Sequence, residues 1–162
     1  MSEPWDSSRE KAAALRLDQW PEEAFTAPLR RANNRREAMG CLKEIAPHGP
    51  FTSRSGLLAR LPMRSLGKIV SRAAVAASFC PQAHYLAAAN IDRLYANAIE
   101  PWAFALNPHK DNTGLKARRY LYAPMEYNGK MAVVKITVKE YADAGLQNKL
   151  YSIEAVDVDL RA

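Results

Sequence analysis

The 162-residue sequence has few cysteines and no group of metal ligands at a recognised spacing. Its two cysteines, Cys41 and Cys80, are far apart, and no second cysteine or histidine pair lies close enough to complete a metal site. The three histidines, His48, His84 and His109, are equally scattered. We therefore expect two reduced thiols, no metal and no cofactor.

Long apolar runs are also missing. The longest uncharged stretch, Ala73 to Ile91, is interrupted by polar residues and Pro81, whereas a membrane-spanning helix needs about 20 predominantly apolar residues. The first ten residues lack the basic segment followed by an apolar one that is typical of a secretory signal. The sequence thus predicts a cytoplasmic protein with no membrane partner.

Acidic residues are scarce in the middle of the chain. Residues 51–119 hold ten basic and three acidic residues, a net charge of +7, whereas residues 1–50 have a net charge of 0 and residues 120–162 of −1. A concentrated positive charge attracts polyanions, and nucleic acid is the commonest of these for such a protein. The alternative is a solvated surface with no such partner.

The first part of the chain has the pattern of two helices. A capping-box spacing predicts a helix from Ser8 to Trp20. Apolar residues at spacings of three, four and seven predict a second helix, which begins at Pro28 and ends before residue 47. Because two prolines at positions 47 and 50 stop this helix, we expect an N-terminal helical appendage over residues 1–50 and an α+β domain over residues 51–162.

Three further segments are predicted to be helical. They are Leu57 to Leu61, Leu66 to Ala77, and a segment that begins at Pro81. In the last segment, the apolar residues form a buried face, and Asn90, Asp92 and Arg93 are expected to face water or a partner.

The last part of the chain has the pattern of strands. The dipeptide Asn128-Gly129 is the strongest short-range signal for a hairpin turn. After it, Met131 to Glu140 alternates strictly between an apolar face and a more polar face. A third strand is predicted over Lys149 to Val158. The fold class is therefore α+β, with N-terminal helices followed by a small antiparallel β-meander.

A resemblance to a protein family is carried by the runs Ser65-Leu66-Gly67-Lys68-Ile69, Ala88-Ala89-Asn90-Ile91-Asp92 and Val134-Lys135-Ile136-Thr137-Val138. These runs resemble the large polyvalent protein-associated domains of phages and other mobile elements, over roughly residues 65–158. The resemblance implies partners among phage or mobile-element proteins. Similar domains are grouped with the compact fold of barnase, EndoU, colicin and RelE type ribonucleases, which implies RNA rather than DNA as the nucleic acid.

Metal-independent RNA cleavage needs an acid, a base and cations near the phosphate. His84, or His109 in the polar loop 107–114, can supply the imidazole, and period-two spacing places Lys135, Thr137 and Lys139 on one face of a strand. The predicted catalytic residues are His109, His84, Lys135, Arg119, Thr137 and Glu154. The predicted nucleic-acid-binding residues are Lys68, Lys110, Arg118, Lys139 and Tyr122.

Most of these residues also have a structural interpretation. His84 can cap or pack a helix, the strand lysines can keep a sheet face soluble, and Tyr122 can pack against its neighbours. His109 lies in a polar loop, where a packing role is not expected. The residues alone leave open a metal-independent ribonuclease, a nucleic-acid-binding domain and a non-catalytic protein-interaction module.

Overall fold

The computed structural model describes residues 20–26, 29–101, 115–141 and 150–160. Helices come first and the long strands last, so the predicted α+β class is confirmed. The described helices are α1 (Glu23–Thr26), α2 (Arg35–Ile45), α3 (Leu66–Ile69), α4 (Arg72–Ala77), α5 (Pro81–Ala89) and α6 (Ile91–Asn97), with 3₁₀ helices at Ala46–His48 and Met63–Ser65. The described strands are β1 (Phe51–Thr52), β2 (Leu58–Ala59), β3 (Leu115–Tyr127), β4 (Lys130–Tyr141) and β5 (Leu150–Leu160).

Helix α2 begins at Arg35 rather than at Pro28, because Asn34 supplies its N-cap. The Asn34 side-chain oxygen accepts a hydrogen bond from the backbone N–H of Glu37 at 2.9 Å. The Glu37 carboxylate in turn accepts one from the backbone N–H of Asn33 at 2.7 Å. These bonds satisfy donors that have no partner within the first turn of a helix.

The three long strands form an antiparallel sheet in the order β3-β4-β5. Strands β3 and β4 meet at Asn128 and Gly129, whose φ angles of 51° and 76° give the tight turn that the sequence predicted. Between Thr137 and Val138 the register of β4 against β5 shifts, so that Glu154 is an extra residue in β5. This β-bulge sets the position of the Glu154 side chain.

One face of the sheet packs against α2, α5 and α6, and we call it the helix face. The opposite face packs against α1, and we call it the α1 face. Residues on the helix face form the main core with α2, α5 and α6; on β4 they are Ala132, Val134, Ile136 and Val138, as predicted. On the α1 face, Tyr122 and Val133 form a second buried cluster with Trp20 and Ala24. Each fully buried large apolar side chain contributes about 1.5–3 kcal/mol to folding.

Both outer strands of the sheet have backbone partners on their outward side. On β3, Tyr122 exchanges two hydrogen bonds with Ile99, at 2.8 and 2.9 Å. On β5, the backbone of Arg60 bonds to residues 151 and 153, and the backbone N–H of Phe79 donates to the Val158 carbonyl at 3.0 Å. The chain from Arg60 to Phe79 therefore runs along β5.

Three further details differ from the sequence-based expectation. The helix predicted over Leu66 to Ala77 is divided into α3 and α4. Residues 58–59 form strand β2, which pairs with β1, although a helix was predicted over Leu57 to Leu61. Asn90 is fully buried rather than facing water. Its side-chain amide accepts from the Arg30 N–H at 2.7 Å and donates to the carbonyls of Arg30 and Leu86 at 2.9 and 2.8 Å.

Helix α2, which belongs to the predicted N-terminal appendage, packs mainly on α5. Its buried residues Leu42 and Ile45 lie in the same cluster as Ile136 of the sheet. Cys41 and Cys80 are both free thiols. None of the described helices is long and apolar enough to cross a membrane. The helix predicted over residues 8–20 falls, apart from Trp20, outside the described residues.

Candidate functional site

A buried carboxylate, Glu154, lies beneath two exposed cations. Glu154 is only 4% exposed, and its Oε2 atom accepts a hydrogen bond from the Ser65 hydroxyl at 2.8 Å. Lys68 Nζ lies 3.9 Å from Oε1, and Arg64 Nη2 lies 4.0 Å from Oε2. The two cationic side chains remain 65% and 61% exposed. The buried carboxylate is thus compensated by charges that still face solvent.

These two cations belong to a longer series. Arg60, Arg64, Lys68 and Arg72 recur at every fourth position, and all four are exposed. They lie on the segment that runs along β5, in which Arg60 bridges to Ser152 and Lys68 approaches Glu154. We call these four residues the basic ridge. Their spacing in the sequence was a signal for this surface, but only Lys68 was predicted as a binding residue.

Acidic residues are scarce in the stretch of sequence that carries the basic ridge. The acidic residues of the described stretch 51–101 are Asp92 and Glu100, and each is paired with an arginine. Burial alone would raise the pKa of Asp92, but hydrogen bonds from Arg30 and from the backbone hold it below its ordinary value. On β5, Glu154 lies at ion-pair distance from Arg64 and Lys68, whereas Asp157 pairs with Lys135.

The predicted residues of β3 and β4 do not form an open basic groove. Lys135 Nζ lies 3.3 Å from Asp157 Oδ2 and 5.1 Å from the centre of the Tyr120 ring, and its side chain is 13% exposed. Thr137 is buried, and Tyr122 packs in the second core cluster. Tyr122 therefore presents no open ring face for base stacking. Arg118 and Lys139 are register partners at the other end of this face, and both are half-buried.

His84 is fully buried among backbone and side-chain partners. Its Nε2 lies 2.7 Å from the Ile69 carbonyl, which can only accept, so Nε2 carries the proton. Its Nδ1 then accepts from the Ser78 hydroxyl at 2.7 Å, and Ser78 Oγ accepts from the Val158 N–H at 2.9 Å. Burial lowers the pKa of His84, against the opposing effect of the Ile69 bond. The imidazole thus joins α5, the end of α3 and β5.

Arg119 is held by partners on the helix face. Its Nε donates to Glu100 Oε2 at 2.8 Å, and its Nη1 donates to the Tyr151 hydroxyl at 3.2 Å. The hydrogen bond to Glu100 raises the pKa of the Arg119 guanidinium above its ordinary value. This arginine is therefore committed to ion pairing within the fold.

The described structure does not bring the predicted catalytic residues together. By strand alternation Arg119 shares the helix face with Val138, whereas Lys135 and Thr137 point to the α1 face. Glu154 accepts a hydrogen bond from Ser65, within the segment of the basic ridge. His84 is buried, and its ring nitrogens contact Ser78 and Ile69. His109 and Lys110 lie outside the described residues. No group of three metal-ligating side chains occurs in the described ranges.

An apolar cavity lies beside one end of the basic ridge. It has a volume of about 490 Å³ and is lined in part by Val70, Val75, Phe79 and Tyr85, with Arg72 among the charged lining residues. Phe79 is 37% exposed, and its ring makes an edge contact with Tyr127 at a centroid distance of 5.6 Å. An aromatic side chain is therefore available beside a surface of positive charge.

Comparison with known proteins gives one family. The model of the family described as large polyvalent protein-associated domain 3 matches residues 30–151, which is most of the chain. The resemblance inferred from the sequence is thereby confirmed, and the match includes both α2 and the basic ridge. Neither a curated protein nor a solved structure matches the chain.

Proposed function

The chain belongs to the family of large polyvalent protein-associated domain 3, and on that premise we propose that it is a binding module that holds RNA through the basic ridge. The module works within proteins of phages or mobile elements and beside their other components. It binds the RNA without cleaving it. The choice of RNA over DNA is part of this proposal and rests on the expectation, given by the sequence, that such domains are grouped with compact ribonucleases.

The observation that carries this proposal is the set of four exposed cations on the segment that runs along β5. Phosphate contacts by Lys and Arg supply most of the affinity of sequence-independent nucleic-acid binding. Ser65 and the bulge at Glu154 fix the carboxylate beneath the ridge, and Glu154 in turn holds the ammonium of Lys68 and the guanidinium of Arg64 within about 4 Å. Two cations of the ridge are therefore drawn toward one buried carboxylate, while their side chains stay exposed and open to a phosphate group.

Binding without cleavage is supported by the placement of the acid and base candidates. A general acid or base must come within hydrogen-bond reach of the reacting atoms. Both ring nitrogens of His84 are occupied within the core, and the carboxylate of Glu154 is buried beneath the cations. In the described part of the chain, these acid and base candidates are thus buried, whereas the cations that fit phosphate are exposed.

The test is the salt dependence of RNA binding, measured by fluorescence anisotropy with a labelled single-stranded RNA between about 50 and about 200 mM salt. The slope of log K against log salt is negative. For single strands, its magnitude decreases by about 0.7 for each phosphate contact removed. We therefore expect the double variant Arg60→Gln/Arg72→Gln to bind more weakly, with a slope about 1.4 smaller in magnitude than that of the wild type.

The matched control is Arg54→Gln, which removes an exposed arginine from the same basic segment but off the ridge. Arg54 contacts Asn97 on α6 rather than β5. This variant should keep the wild-type slope. An equal loss per arginine removed from the two sets of substitutions would show a diffuse charge effect and overturn the assignment to the ridge. An absence of RNA binding at low salt would favour the protein-interaction module instead.

A further inference from the structure

We infer that the cavity beside Arg72 is a base pocket that makes the module selective for single-stranded over duplex RNA. This inference rests on the proposed function, because it assigns the substrate class of the same surface. In duplex RNA the bases are paired and stacked within the helix, whereas single strands can offer an unstacked base to a protein. The pocket therefore distinguishes the two forms without reading the sequence.

The lining of the cavity fits the flat apolar surface of a base. Val70 follows α3, Val75 belongs to α4, and Phe79 lies between α4 and α5. Tyr85 comes from α5. The volume of about 490 Å³ falls within the range of about 300–1,000 Å³ that is typical of pockets for small ligands. Stacking on aromatic side chains is the usual way in which proteins hold single-stranded bases.

The charge of the lining fits the phosphate next to that base. Two of the lining residues, Arg35 and Arg72, are cationic and exposed, and none of the lining residues is acidic. Arg72 is also the last residue of the basic ridge, so a strand that follows the ridge arrives directly at the cavity. This continuity favours nucleic acid over an acidic peptide as the occupant.

Two contacts position Phe79 at the cavity, where its ring can stack on a base. Its backbone N–H bonds to the Val158 carbonyl, and its ring makes an edge contact with Tyr127 at an interplanar angle of 79°. The lining hydroxyl of Ser78 is already shared between His84 and Val158. The Cys80 thiol lies 3.6 Å from the Tyr127 hydroxyl and donates to it. Because these polar groups are committed, the pocket should accept any base by stacking.

The experiment compares Phe79→Ala with the wild type on two labelled probes, a short oligouridylate and a blunt RNA duplex. We expect Phe79→Ala to bind the oligouridylate roughly 5- to 150-fold more weakly, which is the range for loss of one stacked base. Duplex binding should change less than twofold, and the salt slope should stay at the wild-type value. The matched control Leu58→Ala removes another exposed apolar side chain, outside the cavity, and should change neither affinity.

A second variant keeps the test independent of packing around Phe79. Ala76 is exposed on α4 and lines the cavity, whereas Ala73 is exposed on the same helix outside it. Ala76→Glu should weaken oligouridylate binding more than Ala73→Glu does, although both add the same charge. A 2-aminopurine placed in the oligouridylate should lose fluorescence on binding the wild type but not Ala76→Glu.

The remaining outcomes separate this inference from the proposed function. If wild-type protein binds oligouridylate and duplex equally, or if Phe79→Ala and Ala76→Glu match their controls, the base pocket is wrong and the ridge stands. A competition experiment adds an acidic apolar peptide to the oligouridylate complex. If the peptide displaces the oligouridylate equally well from the wild type and from both cavity variants, the base pocket is also wrong. If the wild type binds neither RNA, both proposals fail.

Discussion

The Ser65 hydroxyl donates a 2.8 Å hydrogen bond to the Glu154 carboxylate, across 89 positions of the sequence. Ser65 ends the 3₁₀ helix that carries Arg64, and Glu154 is the extra residue of the bulge in β5. Both residues are buried. This contact therefore fastens the segment of the basic ridge to the sheet at its middle.

Ser65→Ala should lower the free energy of unfolding by about 1–3 kcal/mol, because it leaves a buried carboxylate oxygen without its hydroxyl donor. Urea titration followed by circular dichroism measures this loss. Thr52→Ala, which removes an exposed hydroxyl from β1, serves as the control and should change stability by less than about 0.5 kcal/mol. Equal stabilities for the two variants would mean that the Ser65 bond has no net effect.

His84 should make the fold less stable in mild acid. Because burial lowers its pKa below 6.5, the unfolded chain binds the proton more readily than the folded protein does. The stabilisation is fully present above about pH 6.5 and is lost as the pH falls below that value, by at most about 1.4 kcal/mol per pH unit. Urea titrations at about pH 7.5 and about pH 5 test the sign.

His84→Gln supplies the control for this pH effect. The variant should be less stable than the wild type at neutral pH, since it disturbs a buried bonding pair. Its stability should change less between the two pH values, because the titrating group is gone. A wild-type stability that is unchanged or higher at the lower pH would contradict the assigned neutral imidazole.

Two glycines should respond in opposite directions to alanine. Gly129 has a φ of 76° in the β3–β4 turn, so Gly129→Ala should cost about 1–2 kcal/mol of unfolding free energy. Gly67 lies within α3, and a Cβ atom there would meet nothing within 4 Å. Gly67→Ala should therefore stabilise the protein by about 0.5–1 kcal/mol. Thermal unfolding of the pair provides the comparison.

RNA incubated with the protein should be recovered intact, in the presence and absence of EDTA. The reason is that the described acid and base candidates are sequestered or separated. Gel electrophoresis of a mixed RNA pool measures cleavage. Accumulation of fragments that persists in EDTA, and that His109→Ala reduces by the roughly 10²–10⁴-fold typical of a lost acid or base, would assign catalysis to His109.

Local signals predicted much of the sheet. The alternation of residues 131–140 and the Asn128-Gly129 turn depend on neighbouring residues, and both appear in the structure. The short run Leu57 to Leu61 was assigned to a helix because a few apolar residues do not distinguish the two periodicities. Its pairing partner, Phe51–Thr52, decides the outcome.

Local patterns do not predict contacts between residues that are far apart in the sequence. Asn90 is buried because it pairs with the backbone of Arg30, 60 positions away. The carboxylate of Glu154 points to the ridge because a bulge shifts the register of β5, and a bulge is visible only once two strands are paired. The basic ridge has a spacing of four in the sequence but spans several short elements, so helical periodicity does not describe it.

The backbone partners along the outer strands have a consequence for crowded surroundings. An exposed strand edge can template the addition of strands from other chains, which leads to aggregation or domain swapping. Here Ile99 pairs with Tyr122 on one outer strand, and Arg60 and Phe79 pair with residues near the two ends of the other. At these positions the outer strands already have backbone partners, which a strand from a neighbouring chain would have to displace before it could pair there.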